Sequence, residues 1–299
     1  MKRNRTRLIK LLIFFLIFFV VFILKNEFAN WRTKFLPQKS NQPFSSIKKE
    51  GVTDVILTKD KTTHIYKKDK NWYVKKDNNE FKADEERINK IIDTIINLKK
   101  DSVVSKNKNK HREIGIDKQK IEFKTNNKNY LIYVGALAGL SQFSGNFVRI
   151  DNEDDVFIAE GFEDTFTSDD YRNLSVHFVT NESGISNLEI SFEDKRAELI
   201  KKSDNWLIGN KNAKKDRVDF FINDLKTLKS TDIFAKDKMI PDFISLTIKI
   251  VENNKEKSIG FYKLDENNYL AKSSTSEYIY QIPAAYIASL KKEEKDFVE

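Results

Sequence analysis

Three histidines, His64, His111 and His177, are the residues of this sequence best suited to acid–base or metal chemistry. No two of them stand at the HxH or HxxxH spacing that places two imidazoles on one zinc ion. The chain has no cysteine, which excludes thiol nucleophiles, disulfides and cysteine-based zinc sites. No GxSxG motif indicates an activated serine. The sequence therefore predicts a protein with no catalytic residue, no metal and no cofactor; an enzyme with an unrecognised site is the second alternative.

A glycine-rich stretch, GALAGLSQFSG at residues 135–145, is the part of the sequence that most suggests a ligand. It lacks the GK[ST] ending of a phosphate-binding loop and opens no predicted helix, so a flexible hairpin loop is the other interpretation. The second half of the chain has no counterpart of it, and specialised loops often carry binding functions. The candidate binding loop consists of Gly135, Gly139, Ser141, Gln142 and Gly145.

The net charge of +8 is concentrated at the N-terminus. Residues 1–25 hold six basic side chains and no acidic one, which leaves 47 basic against 45 acidic side chains for the rest of the chain. A phosphate-binding surface needs a clustered excess of positive charge. We therefore predict that nucleic acid is not a partner.

The basic N-terminus precedes fourteen consecutive apolar residues, 11–24. With the two apolar residues before Lys10, the segment reaches 17 residues, or about 25 Å of helix, the short end of a bilayer span. The basic flank predicts a cytoplasmic N-terminus. A cleaved signal peptide is the alternative, but the following KNEFANWRTKF lacks a small-x-small cleavage pair.

The N-terminal part of the chain is therefore divided into three predicted segments. Residues 1–7 form a basic cytoplasmic tail, 8–25 a transmembrane signal anchor in contact with the lipid bilayer, and 26–46 a linker. The rest of the chain is expected outside the cytoplasmic (inner) membrane.

A motif of two lysines, a polar turn and a tryptophan occurs twice, as YKKDKNWYV (66–74) and IKKSDNWLI (200–208). This pattern predicts an antiparallel hairpin whose turn faces water and whose tryptophan returns to the core. A ligand-stacking platform is the alternative. Because the same residue recurs at the same position, we interpret Trp72 and Trp206 as structural anchors that bury a large ring.

Each tryptophan hairpin is followed by a segment of helical period, 84–100 and 216–230. Apolar residues recur at i, i+3, i+4 and i+7, which predicts one buried face for each helix. Asp84 and Asp216 are predicted N-caps.

Strand patterns return after each helix, again with similar order in the two halves. The sequence predicts an α+β fold, with the transmembrane helix followed by two tandem repeats, 47–178 and 179–299. Each repeat is expected to be a mainly antiparallel sheet with one main packed helix.

Several segments together resemble the bacterial domain-of-unknown-function 4340 family (DUF4340). They are the Lys-Lys-Asp turn before tryptophan, SVVSKNKNKHREIGID (102–117), the YVG…GNFVRI…DDVFIA run (133–159) and YRNLSVHF followed by ISNLEISF (171–192). Ile114 replaces a tyrosine of the family pattern. The resemblance covers roughly residues 50–290. It implies a single-pass envelope protein of a kind often linked to gliding-motility-type ABC transport systems.

The resemblance implies a membrane-protein partner of the ABC type. We accordingly expect a non-catalytic, membrane-anchored extracytoplasmic protein that serves as an accessory or scaffold subunit of a gliding- or export-related envelope complex. The alternative is a module that binds an envelope polymer or peptide through a sheet edge or the 135–145 loop.

Overall fold

The computed structural model describes residues 41–100, 103–139, 145–167 and 170–298. Antiparallel strands dominate these residues and form two nine-stranded sheets. The strands of the first sheet are β1 (Val52–Thr58), β2 (Thr62–Lys68), β3 (Asn71–Lys76), β4 (Asn79–Lys82), β5 (Val103–Ser105), β6 (Gln119–Thr125), β7 (Asn129–Leu137), β8 (Asn146–Ile150) and β9 (Val156–Ala159). The strands of the second sheet are β10 (Ile185–Phe192), β11 (Lys195–Lys202), β12 (Asn205–Ile208), β13 (Lys211–Asn212), β14 (Asp232–Phe234), β15 (Leu246–Glu252), β16 (Lys255–Lys263), β17 (Asn268–Ser273) and β18 (Ile279–Pro283).

The two sheets have the same strand order. The first runs β4-β3-β2-β1-β6-β7-β8-β9-β5, and the second runs β13-β12-β11-β10-β15-β16-β17-β18-β14. Adding nine to every strand number of the first sheet gives the second. This shared order supports the predicted internal repeat, and below we call the two sheets with their loops the first and second copy.

The helices are short and few among the described residues. They are α1 (Glu85–Ile96), α2 (Lys215–Lys226), α3 (Ala284–Leu290) and α4 (Glu294–Val298). The described chain groups into two compact units. One contains the segment ending at Thr53 together with Lys90–Thr167, and the other contains Asp54–Asn89 with Ser168–Glu299. The predicted repeat boundary between residues 178 and 179 stays a prediction.

Two-residue turns join many neighbouring strands, and their backbones are left-handed. Asp69 and Lys70 at the β2–β3 turn have φ of 50° and 70°, and Asn253 and Asn254 at the β15–β16 turn have 51° and 62°. Positive φ at both central residues is the conformation whose twist matches that of the flanking strands. Asn and Asp tolerate it better than most residues do.

The repeated lysine–tryptophan motif forms the same cross-strand pair in both copies. Lys67 lies opposite Trp72, and Lys201 lies opposite Trp206. The lysine Nζ atoms lie 5.7 Å and 5.9 Å from the centroids of the two tryptophan rings. Both tryptophan side chains are buried. Their role as anchors of stability stays a prediction.

The predicted α+β class with a packed main helix is wrong. The described residues form a mainly antiparallel β structure, and neither main helix lies across its sheet as a second layer. The elements in closest contact with α2 are β12, the 3₁₀ turn Glu182–Gly184 and α4. Strands rather than helices dominate the structure, because the two main helices have only 12 residues each whereas each sheet has nine strands.

The helical period nevertheless located the apolar positions correctly. The predicted inward-facing residues are buried, namely Ile88, Ile91, Ile92, Ile95 and Leu98 in the first copy and Val218, Phe221, Ile222, Leu225 and Leu228 in the second. The N-cap of α1 is confirmed, because Asp84 Oδ1 accepts a hydrogen bond from the Arg87 N–H at 3.1 Å. The N-cap prediction for Asp216 is wrong, since α2 begins at Lys215 and Lys214 precedes it without a side-chain cap.

The predicted transmembrane segment, residues 8–25, lies outside the described residues, as do the tail 1–7 and most of the linker 26–46. Within the described ranges, no helix has both the length and the apolar character needed to cross a bilayer.

Candidate functional site

The predicted binding loop is only partly described. Gly135 lies inside β7, Gly139 follows that strand and Gly145 precedes β8, whereas Ser141 and Gln142 lie outside the described residues. The role of this loop in ligand binding therefore stays a prediction.

Backbone packing explains two of the three glycines. A Cβ at Gly135 would lie 2.8 Å from the carbonyl oxygen of Ile114. A Cβ at Gly145, where φ is +150°, would lie 2.6 Å from the carbonyl oxygen of Ala159. Both distances are too short for a side chain, so these positions require glycine for close approach of two backbones. A Cβ at Gly139 would meet no atom of the described residues within 4 Å.

A cleft of about 330 Å³ is lined by residues of the segments 173–177 and 275–280 and by Lys82. We call it the polar cleft, because hydroxyl, amide, imidazole and carboxylate side chains provide most of its lining. These side chains include Asn173, Ser175, His177, Ser276, Glu277 and Tyr278. Its volume is within the range of about 300–1,000 Å³ that small-molecule sites occupy.

Hydrogen bonds orient the imidazole ring of His177. The Ser175 N–H donates to Asn173 Oδ1 at 3.0 Å, so the other end of that amide is the NH₂ group. Asn173 Nδ2 lies 3.0 Å from His177 Nε2, and the nitrogen that receives an N–H must be unprotonated. In this arrangement Nε2 accepts, which leaves Nδ1 as the N–H of the ring. Its backbone has φ of 51°, a left-handed conformation that is uncommon for a residue with a side chain.

The opposite wall of the polar cleft is built from tyrosines and serine. Tyr278 OH accepts a hydrogen bond from the Lys82 N–H at 3.2 Å, and Ser276 Oγ lies 2.7 Å from Tyr280 OH. The ring of Tyr278 packs on Phe81 with 5.5 Å between centroids. Burial raises the pKa of Tyr278 and of Tyr280, so both phenols stay neutral at physiological pH. This wall thus offers hydroxyl groups that can both donate and accept.

A second cleft, of about 310 Å³, lies between β4 and β14 and contains Arg172. We call it the edge cleft. The buried guanidinium of Arg172 donates to Asp170 through Nε (2.8 Å) and Nη2 (2.5 Å), to Asp232 through Nη2 (2.5 Å) and to the Ile233 carbonyl through Nη1 (2.6 Å). Burial would raise the pKa of Asp170, but the hydrogen bonds from Arg172 outweigh burial and lower it. These contacts make Arg172 a structural clamp.

The loop that follows β14 borders the edge cleft and exposes large apolar side chains. This apolar loop, residues 236–244, leaves Met239 88%, Phe243 74% and Ile244 45% exposed. Soluble surfaces expose single apolar residues commonly, but a group of them in one loop is typical of an interaction site.

The corresponding loop of the first copy folds back onto its sheet. Aligning the repeated Asn-Asn-Lys turns, 126–128 and 253–255, sets an offset of 127 and pairs Ile116 with Phe243. Ile116 is fully buried, and its N–H donates to the His111 carbonyl at 3.0 Å.

A single position accounts for much of this difference. The Ala136 N–H donates to the Ile114 carbonyl at 3.3 Å, an approach of loop to strand that Gly135 permits. At the offset of 127 the second copy has Tyr262 in place of Gly135. A side chain at this position is incompatible with the 2.8 Å approach found at Gly135, so the second loop cannot approach its strand in the same way.

Sequence reasoning missed the apolar loop, the polar cleft and the Arg172 clamp. The loop had a usable signal, since KMIPDFI combines large apolar residues with a proline and follows neither a strand nor a helix period. No sequence signal indicated the two clefts, because each cleft joins residues about 60 to 200 positions apart in the chain.

The sequence model of the family described as Domain of unknown function (DUF4340) matches residues 72–243, more than half of the chain. The match confirms the resemblance drawn from the sequence motifs. No curated protein and no protein of solved structure matches the chain.

Proposed function

We propose a docking function for this chain, which belongs to the DUF4340 family. It is a non-catalytic extracytoplasmic protein of the cytoplasmic membrane that acts as a scaffold or accessory subunit of an ABC-type envelope complex. The apolar loop carries the docking part of this proposal. The location and the ABC-type partner rest on the N-terminal sequence pattern and on the family resemblance.

The side chains of the apolar loop have enough unburied surface to drive association. Full burial of one large apolar side chain contributes about 1.5–3 kcal/mol, and Met239 and Phe243 are at present mostly in water. Aromatic and methionine side chains are enriched at the cores of protein interfaces. A few such residues commonly supply most of the binding free energy.

The edge cleft next to the loop provides a concave surface for the same partner. Asp237 and Lys238 line the edge cleft and also belong to the apolar loop, so one partner can contact both. Lys238 Nζ lies 4.7 Å from the Phe234 ring centroid, which helps to hold the start of the loop in position.

Co-purification of the full-length tagged chain from detergent-solubilised membranes tests the proposal, with Phe243→Ser compared with Phe220→Ser. Phe220 lies on α2 and is also 74% exposed, so it is a control matched in residue type and exposure. We expect wild type and Phe220→Ser to retain transporter subunits and Phe243→Ser to lose them at least tenfold. Equal retention by both variants, or no transporter subunit with wild type, would contradict the docking function.

The second candidate function is binding of an envelope polymer, which the polar cleft favours. It uses a different surface from the apolar loop and can be tested separately.

A further inference from the structure

We propose that the polar cleft binds one or two units of a neutral saccharide. This inference deepens the second candidate function above and is independent of the docking function of the apolar loop. Three properties of the cleft support it: the mixture of donors and acceptors, the absence of a dominant charge, and a tyrosine ring in its wall.

The lining can form hydrogen bonds with a ligand whose hydroxyl groups each donate and accept. Ser175, Ser276 and Tyr278 contribute hydroxyl groups, and His177 contributes an N–H at Nδ1. Among the described residues, Nδ1 of the exposed His177 has no hydrogen-bond partner, so it is available to a ligand. A sugar hydroxyl accepts from an N–H and donates to an oxygen at once, which matches this lining better than a purely accepting phosphate does.

The charges of the cleft favour a neutral ligand. Lys82 and Glu277 are the charged side chains among its lining residues, and their formal charges cancel. An anionic ligand would be recognised by clustered Arg or Lys, and a cationic one by carboxylates or an aromatic cage. The cleft has neither arrangement.

The site is organised before any ligand arrives. The Asn173 amide holds the His177 ring, the Tyr278 N–H donates to Ser276 Oγ at 3.1 Å, and the Tyr278 ring is fixed against Phe81. Fixed side chains lose little conformational freedom on binding, which favours affinity. The Tyr278 ring also gives the apolar C–H face of a sugar a flat surface to pack on.

Isothermal titration of the full-length chain in detergent tests this proposal, with chitotriose and maltotriose as probes. We expect binding of at least one probe with a Kd of about 1 mM or tighter. Loss of one hydrogen bond weakens binding by about two- to twelvefold, so we expect His177→Asn and Ser175→Ala, which removes a hydroxyl of the lining, each to raise Kd within that range. Asparagine tolerates the left-handed backbone at residue 177.

His64→Asn provides the matched control, because His64 lies on β2, outside the polar cleft, 2.9 Å from Asp54. It should bind as wild type does, and thermal melts of all variants show whether folding is retained. No binding of either probe at 10 mM overturns the proposal, as does binding that both cleft variants leave unchanged. Binding of an extended peptide in the cleft, with no saccharide binding, overturns it in favour of a peptide site. None of these outcomes affects retention of transporter subunits, so failure here is distinct from failure of the docking function.

Discussion

At equivalent positions, the two copies hold the segment that leads into each sheet by different chemistry. In the first copy, Phe44 packs edge-on against Phe123 and Tyr130 at 5.2 Å and 5.6 Å between centroids, and those two rings stack at 4.7 Å. We call this the aromatic clamp. At the offset of 127, Lys257 replaces Tyr130 and Glu252 replaces Thr125.

In the second copy a buried ion pair holds the segment that leads into the sheet. Glu252, whose side chain is 1% exposed, pairs with Lys257 and accepts hydrogen bonds from the leading segment. The donors are Thr180 Oγ1 (2.8 Å), the Thr180 N–H (3.1 Å) and the Asn181 N–H. We call this arrangement the ionic clamp.

Some features are common to the two copies, and others differ between them. Strand order, the lysine–tryptophan pair and the buried helix positions are the same in both copies. The clamps and the loops that precede β6 and β15 differ between the copies. Either an aromatic cluster or an ion pair can hold the leading segment without disturbing strand pairing. The apolar loop is such a difference and adds no burial to its own core, which supports its use for docking.

The largest expected effect concerns a shared feature. Trp72→Ala and Trp206→Ala should each lower the free energy of unfolding by about 3–5 kcal/mol, the usual cost of removing a buried large aromatic ring. Urea unfolding of the full-length protein measures this loss. Two variants that unfold like wild type would show that the tryptophans are not core anchors.

The second prediction concerns the ionic clamp. Lys257→Met leaves the buried Glu252 carboxylate without its cation, and breaking a buried pair in this way costs about 3–5 kcal/mol. We expect the lower end of that range, because hydrogen bonds from Thr180 and Asn181 remain. Glu252→Gln with Lys257→Met together should recover part of the loss. A loss below about 1 kcal/mol for Lys257→Met would show that the ion pair is dispensable.

A pH titration distinguishes the two clamps. Burial would raise the pKa of Glu252, but hydrogen bonds from Lys257, Thr180 and Asn181 together lower it below its usual value of 4.5. Because the pKa of Glu252 is lower in the folded state, the ionised carboxylate stabilises the folded state above the unfolded-state pKa. This contribution is lost as the pH falls through the folded-state pKa. The stability difference between wild type and Glu252→Gln should therefore be constant from pH 7 to 5 and shrink below about 4.5. Unfolding of Phe44→Ala relative to wild type should show no such dependence; a similar slope would contradict the comparison.

A smaller effect is expected where the two loops diverge. Gly135→Ala should cost about 1–3 kcal/mol, because its Cβ would overlap the Ile114 carbonyl. Gly139→Ala, where a Cβ meets no neighbour in the part of the chain that the structure describes, should change the free energy of unfolding by less than about 0.5 kcal/mol. Equal costs at the two positions would show that close approach at Gly135 does not hold the first loop down.

Local patterns allowed part of this structure to be predicted. The buried tryptophans, the buried helix positions and the paired Asn-Asn turns follow from short-range periodicity and turn chemistry. The sequence analysis overestimated the contribution of helix to the fold. Each 12-residue helix has a clear periodic pattern, whereas most of the structure consists of many short strands. The N-cap at Asp216 failed because α2 begins one residue earlier, at Lys215. The clamps and clefts could not be read from sequence, since chain topology alone brings their residues together.

Photo-crosslinking in intact cells tests the docking function most directly. A benzophenone amino acid is placed at residue 243 in the apolar loop or at residue 220 on α2, two equally exposed phenylalanine positions. The docking function predicts a covalent adduct between residue 243 and a membrane subunit of an ABC-type transporter, with no such adduct at residue 220. Absence of a transporter adduct at residue 243, or equal adducts at both positions, would contradict it.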